Sequence, residues 1–285
     1  MRRLKRQIPQ NIQRIKGIPF FLSIVFFIFI LPPPSFGYKR VISLSPQITE
    51  SIFLLGADGY LIADTIFCKR PAGAHRKIKI GTPLRPDIEK IVSLMPDMVL
   101  GSKEGNPFWL MERLKRLGIN THYFKRPRDF KELSDNFLVL GRMLQRGDKA
   151  MEIIKKAGRG LERQNSHPPF KVLWQVGSDP FIAATNTSFV NDIIRYGGGI
   201  NIIETGAPYS RINIEEVVKK RPDVIVLMDM GYNIEGEINR WRVLLGDPEF
   251  LIIDPYVASS PTPLTFVEAV EKLRVKGASL GKRRK

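Results

Sequence analysis

One pattern occurs twice in this chain, once in each half. Residues 86–100 read PDIEKIVSLMPDMVL and residues 213–227 read NIEEVVKKRPDVIVL, so both contain Ile-Glu-x-[Ile/Val]-Val-x-x-x-Pro-Asp followed by an apolar run. In each copy the apolar residues have helical spacing, and the Pro-Asp pair ends the helix and leads into a buried strand. A repeat of this kind predicts two lobes built to one plan.

The segments around each copy alternate between short β-rich runs and helical patterns. Strands on short connections to helices predict a parallel sheet that is covered on both faces. The strands are predicted at 41–45, 61–66, 97–101, 121–124, 171–177, 224–228 and 250–253. The helices are predicted at 48–55, 87–94, 108–117, 189–196, 215–220, 238–245 and 263–276.

Between the two halves the pattern is helical only, from Asp129 to Arg163, with a break at 146–148 where Asp148 can cap the second helix. The chain is therefore predicted to be an α/β protein with two Rossmann-like lobes, each a parallel sheet flanked by helices, joined by one long interlobe helix. The predicted divisions are a signal peptide at 1–37, an N-terminal lobe at 38–128, a helical connector at 129–168 that includes the interlobe helix, a C-terminal lobe at 169–277 and a basic tail at 278–285.

The N-terminal segment differs from the rest. Residues 1–17 carry six basic and no acidic side chains, and the apolar run that follows, 18–31, has fourteen residues. A membrane-spanning helix needs about 20 apolar residues, so the run fits a signal peptide that is cleaved after Gly37 better than an uncleaved anchor. No cysteine follows the run, which argues against a lipoprotein. We expect an exported, periplasmic protein.

Charge and cysteine content narrow the classes of function. The net charge of +17 falls to +7 for residues 38–281, because six positive charges lie in the signal segment and four in Lys282–Lys285. The fall in charge and the lack of a basic and aromatic stripe remove most of the support for a nucleic-acid binder. The remaining positive charge suits an exported protein near anionic lipid, or an anionic ligand. Cys68 is the single cysteine, cannot form an intramolecular disulfide, and is most simply a small buried residue.

The repeat places one glutamate near the start of each predicted helix, Glu89 and Glu215. A carboxylate there complements the helix dipole and contributes about 0.3 to 1 kcal/mol. Matched positions in two similar lobes also form a pseudo-symmetric surface that fits a two-fold partner. Both interpretations are compatible with the residues alone.

Several segments resemble the helical-backbone class (class III) of periplasmic binding proteins, which serve ABC importers of cobalamin, ferric siderophores and haem. They are RVISLSPQITESIFLLGA at 40–57, residues 66–100, SKEGNP at 102–107, FVNDIIRYGGGINI at 189–202 and SPTPLTFVEAVEKL at 260–273. The chain is most similar to the cobalamin-type members in its Cys68-x-x-Pro71 segment, in Ile80-Gly81-Thr82, and in the Pro-Thr-Pro before the last helix. It departs from the family at Ser260, where an arginine is common.

The resemblance implies a ligand cleft between two lobes, a connecting helix that limits hinge closure, and docking of Glu89 and Glu215 on arginines of a dimeric permease with its ATPase. It implies a monomer that binds a metal chelate and has no catalytic residues and no cofactor of its own. A corrinoid is the predicted ligand, and a ferric siderophore or haem is the alternative within the class. An exported α/β hydrolase and an envelope scaffold that binds lipid through its basic tail are remote alternatives.

Ligands of open α/β sheets bind at the carboxyl ends of the strands. A corrinoid or porphyrin is an apolar plate with polar edges, so aromatic faces from Phe67, Phe181 and Tyr209 are predicted to cover it. Arg70, Lys103 and Arg211 are predicted to meet negative groups of the ligand or else to be solvated surface cations. The full predicted set is Ser45, Pro46, Phe67, Arg70, Thr82, Pro83, Lys103, Asn106, Pro180, Phe181, Tyr209, Arg211, Tyr232, Ser259 and Pro261.

No metal site of the protein itself is predicted. His75, His122 and His167 are isolated and lack the spacing of metal ligands. Tyr209 and Tyr232 leave a tyrosine-ligated haem open. The chain from residue 38 onward has no Gly-x-Ser-x-Gly, no phosphate-binding loop and no catalytic carboxylate pair with a base, so we expect a binding protein without enzymatic activity.

Overall fold

A computed structural model describes residues 37–165, 167–259 and 261–283. The signal segment and Ser260, on which two of the expectations above depend, lie outside the described residues. Within these ranges no helix is both long and apolar enough to cross a membrane.

Lobe one, the part built on the first sheet, has five parallel strands in the order β3-β2-β1-β4-β5. Its strands are β1 Val41–Ser43, β2 Leu61–Asp64, β3 Ile78–Lys79, β4 Met98–Ser102 and β5 Thr121–Phe124. Its helices are α1 Pro46–Leu54, α2 Ile88–Ser93 and α3 Phe108–Arg116, with 3-10 turns at Asp58–Tyr60 and Ala72–Arg76. Apolar clusters cover both faces of the sheet, as the near-continuous apolar strands require.

Lobe two is built on a second, six-stranded sheet in the order β11-β10-β6-β7-β9, with β8 beside β6. The strands are β6 Phe170–Gly177, β7 Ile182–Ala184, β8 Gly199–Asn201, β9 Tyr209–Arg211, β10 Val224–Met228 and β11 Glu249–Ile253. The helices are α6 Phe189–Tyr196, α7 Ile214–Lys220, α8 Ile234–Leu245, α9 Pro255–Ala258 and α10 Pro263–Arg283. Helix α10 therefore continues to Arg283, through most of the predicted basic tail.

The predicted fold class is confirmed, with one difference in lobe two. There β7 pairs with both β6 and β9 in antiparallel fashion, so the second sheet is mixed rather than fully parallel. The chain reverses between β6 and β7 through the tight segment around Asp179-Pro180, and a reversal this short cannot make a parallel crossover.

Two helices connect the lobes, α4 Phe130–Met143 and α5 Gly147–Leu161. Asp129 caps α4 by accepting a hydrogen bond from the backbone N–H of Glu132 at 2.8 Å. Helix α5 begins one residue before Asp148 and has no side-chain cap at Arg146, so the predicted capping role of Asp148 is wrong.

Helix α5 belongs to the cores of both lobes. Ala150 and Ile153 pack in a cluster with the first sheet, whereas Ala157 and Leu161 pack with the second. One helix that is buried at both ends against different cores resists bending, because a bend would open a gap in a close-packed core.

The end of α5 is held by the buried side chain of Arg274 on α10. Its guanidinium donates hydrogen bonds to the carbonyl oxygens of Gly160 at 2.7 Å, Leu161 at 3.0 Å and Arg163 at 2.9 Å. These carbonyls have no partner within their own helix, so Arg274 supplies the missing donors from another element.

The repeated Pro-Asp pair has the same structural role in both lobes. The carboxylate of Asp97 accepts hydrogen bonds from the backbone N–H groups of Lys39 at 2.9 Å and Arg40 at 3.0 Å, at the entrance to β1. The carboxylate of Asp223 accepts one from the N–H of Lys171 at 2.7 Å, at the start of β6. Each copy of the pattern thus fixes the first strand of its own lobe.

Candidate ligand cleft and docking surface

A small cavity lies between the two lobes, and its enclosed volume of about 10 Å³ is roughly what one water molecule occupies. The structure brings three of the predicted site residues together there, since Tyr209, Ser259 and Pro261 all line it. The other lining residues are Gln47, Glu104, Pro127, Phe189 and Ala258, and they come from both lobes.

A charged pair at this cavity includes Arg126, which the sequence prediction missed. The Nε of Arg126 lies 3.2 Å from a carboxylate oxygen of Glu104, and the guanidinium lies 5.2 Å from the ring centroid of Tyr209. Burial raises the pKa of Glu104, and Arg126 opposes that rise. Burial and the nearby Glu104 also raise the pKa of the Tyr209 phenol. Arg126 follows β5 closely, so the rule of strand carboxyl ends was sufficient to find it.

The lobes touch directly where Tyr256 of α9 meets the loop after β2. Its hydroxyl donates a hydrogen bond to the carbonyl oxygen of Phe67 and accepts one from the backbone N–H of Lys69 at 2.8 Å. We refer to this contact, with the ion pairs of Arg70 described next, as the interlobe clasp. The ring of Phe67 is 48% exposed and is available to a ligand.

Arg70 differs from the predicted free cation of the cleft rim. Its guanidinium lies 3.1 Å from a carboxylate oxygen of Glu50 in lobe one and 3.6 Å from one of Asp254 in lobe two. Burial raises the pKa of Glu50, with Arg70 opposing the rise. Arg70 therefore joins the lobes, because its charge is already matched by two carboxylates.

Asn106 ties together three loops at the cleft edge of lobe one. Its side-chain amide donates to the carbonyl oxygens of Leu44 at 3.1 Å and Pro83 at 2.9 Å, and its Oδ1 accepts from the N–H of Ser102 at 2.7 Å. The hydroxyl of Tyr123 donates to the backbone carbonyl of Asn106. Because this buried amide is occupied by the backbone, it positions the loops rather than presenting a free group to a ligand.

The remaining predicted residues of lobe one form the frame of that edge. Ser45 is buried as the N-cap of α1, and Pro46 is the first residue of that helix. The hydroxyl of Thr82 accepts a hydrogen bond from the N–H of Arg85 at 3.0 Å. Lys103 is exposed, with its Nζ 5.8 Å from the ring centroid of Tyr123.

In lobe two most of Phe181 is buried in the core, so it offers little of the exposed aromatic face that the sequence predicted. Only 6% of Phe181 is exposed, and its ring centroid lies 5.6 Å from that of Trp241 in the core. Phe181, its neighbour Pro180 and Arg211 line an open groove of about 440 Å³ with Asn213, the N-cap of α7. The predicted loop position of Phe181 agrees with the structure, where it lies in the turn directly before β7, but its side chain points inward.

Tyr232 follows β10 and has a hydroxyl that is buried without a hydrogen-bond partner among the described residues. Burial raises its pKa, and the carboxylates of Glu237 and Asp229 add to the rise. Glu237 itself is buried and well satisfied, because it accepts from Gln175 Nε2 at 2.8 Å and from Ser178 Oγ at 2.7 Å.

The two glutamates of the repeat occupy equivalent, exposed positions. Glu89 lies in the first turn of α2, which Asp87 caps by accepting from the N–H of Lys90 at 2.9 Å. Glu215 lies in the first turn of α7, which Asn213 caps by accepting from the N–H of Glu215 itself at 3.0 Å. Neither glutamate forms an ion pair with another residue of the described ranges. Both carboxylates are thus free to meet a partner.

The described part of the chain contains no group of three or more His, Cys, Asp or Glu side chains arranged to hold a metal ion. His122 lies in β5, and burial lowers its pKa. Cys68 is buried, as expected, between the hydroxyls of Thr49 and Thr65, each 3.2 Å from its Sγ.

Comparison with known proteins agrees with this geometry. The vitamin B12-binding protein of Vibrio vulnificus (strain CMCP6) is 26% identical over 254 residues, which cover 86% of this chain and 92% of that protein. The crystal structure of the periplasmic vitamin B12 binding protein BtuF of Vibrio cholerae has a TM-score of 0.73 at 24% identity and covers 85% of this chain and 98% of that one. The periplasmic heme-binding protein RhuT from Roseiflexus sp. RS-1 has a TM-score of 0.70 at 22% identity, covering 85% of this chain and 100% of that one.

The match to a family model extends over both lobes. The model described as periplasmic binding protein aligns with residues 41–262, from β1 to the segment before the last helix. It includes both sheets, both glutamates and the cavity between them. The chain therefore belongs to the periplasmic binding protein family.

Proposed function

We propose that this protein is exported and that its signal peptide is cleaved after Gly37. The mature protein captures a corrinoid between its lobes as a monomer and delivers it to an ABC importer without chemical change. The observation that carries the proposal is the pair of exposed glutamates at matched helix starts, Glu89 and Glu215, in lobes that share one cleft. The names of the relatives in both Vibrio species support the choice of ligand.

The lining of the cleft suits a plate-shaped ligand. Tyr209, Phe189 and the two prolines Pro127 and Pro261 offer apolar faces, while Gln47, Glu104 and Ser259 offer polar groups for the edge. The enclosed volume of about 10 Å³ is far below the range of about 300 to 1000 Å³ that holds drug-sized ligands. A corrinoid is larger than such ligands, so its entry requires the lobes to separate and the interlobe clasp to break.

Delivery depends on docking. Exposed carboxylates with no partner of their own bind arginine side chains through charge-assisted, bidentate hydrogen bonds. One such pair at each end of the cleft would centre its opening on a two-fold symmetric permease. Each exposed glutamate–arginine ion pair alone contributes only about 0 to 1 kcal/mol. The relative position of Glu89 and Glu215 therefore matters more than either ion pair.

Isothermal titration calorimetry of the protein from residue 38 onward tests the ligand. We expect cyanocobalamin to bind with one site per chain. Tyr209→Ala should weaken binding at least about tenfold, because it removes an aromatic face from the cleft, whereas Tyr38→Ala outside the cleft should not. The assignment of a corrinoid as ligand is wrong if cyanocobalamin gives no heat of binding while haemin or a ferric siderophore does.

Haem is the second candidate, because Tyr209 in the cleft is a residue type that ligates haem iron. Burial raises the pKa of Tyr209, however, which disfavours the phenolate that binds iron. A visible absorption titration with haemin separates the two ligands. A haem spectrum that changes in Tyr209→Phe would favour haem.

A further inference from the structure

Lobe one carries an exposed aromatic pair beside helix α2, which carries Glu89. Phe108 is 65% and Trp109 53% exposed in the first turn of α3. Helices α2 and α3 cover the same face of the first sheet, since Ile91 of α2 and Leu110 of α3 belong to one apolar cluster. Both helices follow parallel strands, so their first turns lie at the same carboxyl edge. The aromatic pair thus lies on the edge that carries Glu89.

A third exposed apolar side chain joins this edge. Leu84 precedes α2 in a loop that Asn106 holds through the carbonyl oxygen of Pro83 at 2.9 Å. Asn106 lies two residues before Phe108, so the two loops are tied directly to each other. Exposed aromatic and aliphatic side chains gathered at one edge indicate a contact surface.

The charged residues around these side chains are mostly basic. Within the described ranges, five exposed cations at this edge and on α3 form no ion pair with an acidic side chain. They are Arg85, Lys103, Arg113, Lys115 and Arg116. The acidic side chains of the same region are fewer, namely Asp87, Glu89, Glu104 and Glu112, and Glu104 is already paired with Arg126. We call the three apolar side chains and five cations the basic-aromatic surface.

Lobe two lacks such a surface at the equivalent place. Its corresponding helix α8 also begins at the carboxyl edge beside helix α7, but its first turn contains Ile234, Glu235 and Glu237. The first turn is acidic there and has no aromatic residue. The fold itself therefore does not require the aromatic pair of lobe one.

We propose that the basic-aromatic surface binds the headgroup region of an anionic phospholipid bilayer. Exposed tryptophan and phenylalanine side chains partition into the membrane interface, and nearby lysine and arginine side chains are attracted by anionic lipid. A permease surface rich in arginine would attract Glu89 but repel these five cations, so charge complementarity favours lipid. The contact is separate from the proposed docking and would keep the carrier near the membrane between deliveries.

A shift of the tryptophan emission on vesicle binding reports on this surface, because Trp109 is the exposed tryptophan. The chain has three tryptophans, and the other two, Trp174 and Trp241, are fully buried at 0% exposure. We expect vesicles of phosphatidylcholine with phosphatidylglycerol to shift the emission to shorter wavelength and to protect Trp109 from iodide. Pure phosphatidylcholine vesicles should have little effect, and high salt should reverse the shift.

Variants separate the contribution of the cations from that of the aromatic side chains. Each cation near an anionic surface strengthens binding about fivefold, so Arg113→Glu with Arg116→Glu should weaken vesicle co-sedimentation at least about tenfold. Phe108→Ser with Trp109→Ser should abolish co-sedimentation. Trp109→Phe should keep most of it but lose the emission shift. Val243→Ala, at a side chain of lobe two that is 86% exposed, is the matched control and should change nothing.

Thermal unfolding of each variant shows that its fold is retained. The proposal fails if phosphatidylglycerol vesicles neither shift the emission nor sediment the protein. It also fails if pure phosphatidylcholine binds equally well and salt has no effect. A shift that appears only with vesicles that contain a permease would assign the surface to a protein partner, and would likewise overturn the lipid contact.

Discussion

In both lobes the helix that carries the repeated glutamate, α2 or α7, is followed by a residue with positive φ directly before Pro-Asp, namely Met95 at 46° and Arg221 at 49°. The aspartate that follows then holds the first strand of that lobe. The next helix differs sharply, with Phe108 and Trp109 in lobe one and Glu235 in lobe two. The two copies agree where the backbone must turn and differ where side chains meet solvent or a partner.

The proposed docking gives the two glutamates of the repeat equal roles. Charge reversal at both, Glu89→Arg with Glu215→Arg, should lower corrinoid uptake by intact cells at least about tenfold, because close contact of like charges costs several kcal/mol. Either change alone should give an intermediate loss. Corrinoid affinity of the purified protein should be unchanged, and Glu152→Arg, at an exposed position of α5 outside the repeat, is the control. Full uptake by the double variant would break the symmetry argument.

The two aspartates of the repeat should be equivalent in stability. Asp97→Ala and Asp223→Ala should each lower the free energy of unfolding by about 1 to 2 kcal/mol, because each leaves a backbone N–H without its charged acceptor. Urea unfolding measures the change. Asp58→Ala, at an exposed side chain outside the repeat, should be neutral. A loss at only one of the two aspartates would show that the copies are alike in sequence alone.

Substitutions at the two residues with positive φ should have a smaller effect on stability, and of opposite sign. Met95→Gly and Arg221→Gly should each raise the free energy of unfolding by about 0.5 to 1 kcal/mol, since glycine adopts this conformation without a Cβ clash. Part of the gain is offset by the greater freedom of glycine in the unfolded chain. Leu117→Gly, where φ is −81°, should instead be destabilising. If all three glycine variants behave alike, the strain is not real.

The smallest expected effect concerns the buried carboxylates. The Oε1 of Glu50 accepts a hydrogen bond from Arg70, and its Oε2 has no partner among the described residues, whereas Glu237 of lobe two accepts from several donors. Burial raises the pKa of Glu50 above its usual 4.5, so the native state holds this proton more tightly than the unfolded chain. The stabilisation from Glu50 is therefore present at low pH and lost as pH rises from about 4.5 through the raised native pKa.

The variant Glu50→Gln removes this dependence. Its stability relative to the parent should increase as pH rises from about 4 to neutrality and then level off. Urea unfolding across this pH range measures the difference. A difference that is constant with pH, or that declines as pH rises, would contradict the raised pKa of Glu50.

The sequence predicted the long elements well, because apolar periodicity marks them clearly. Helix α6 and strands β5 and β10 have the predicted bounds. The three-residue strands β7, β8 and β9 were missed, because three residues are too few to show a period. Their antiparallel pairing follows from a tight reversal that local sequence does not report.

The residues of the cleft were predicted only in part, because local sequence does not show where a side chain points or what it meets in the other lobe. Tyr209 lines the cavity as predicted in position, although it begins strand β9 rather than following a strand. The rule of strand carboxyl ends reached Ser259 and Pro261, which also line it. The rule cannot tell whether a loop side chain points inward, so it did not predict the burial of Phe181, and it cannot see partners across the cleft, so it left Arg70 unpaired. Ion pairs between lobes depend on the tertiary arrangement of the two halves.

The most direct test of the account is whether a corrinoid binds between the lobes and breaks the interlobe clasp. Tyr256→Phe removes the hydroxyl that joins Phe67 and Lys69, and the account predicts tighter binding of cyanocobalamin by calorimetry, about fivefold for a lost neutral hydrogen bond. The parent protein should bind with one site per chain. No binding by either protein, or equal binding after Tyr209→Ala, would contradict the claim that the ligand lies in this cleft.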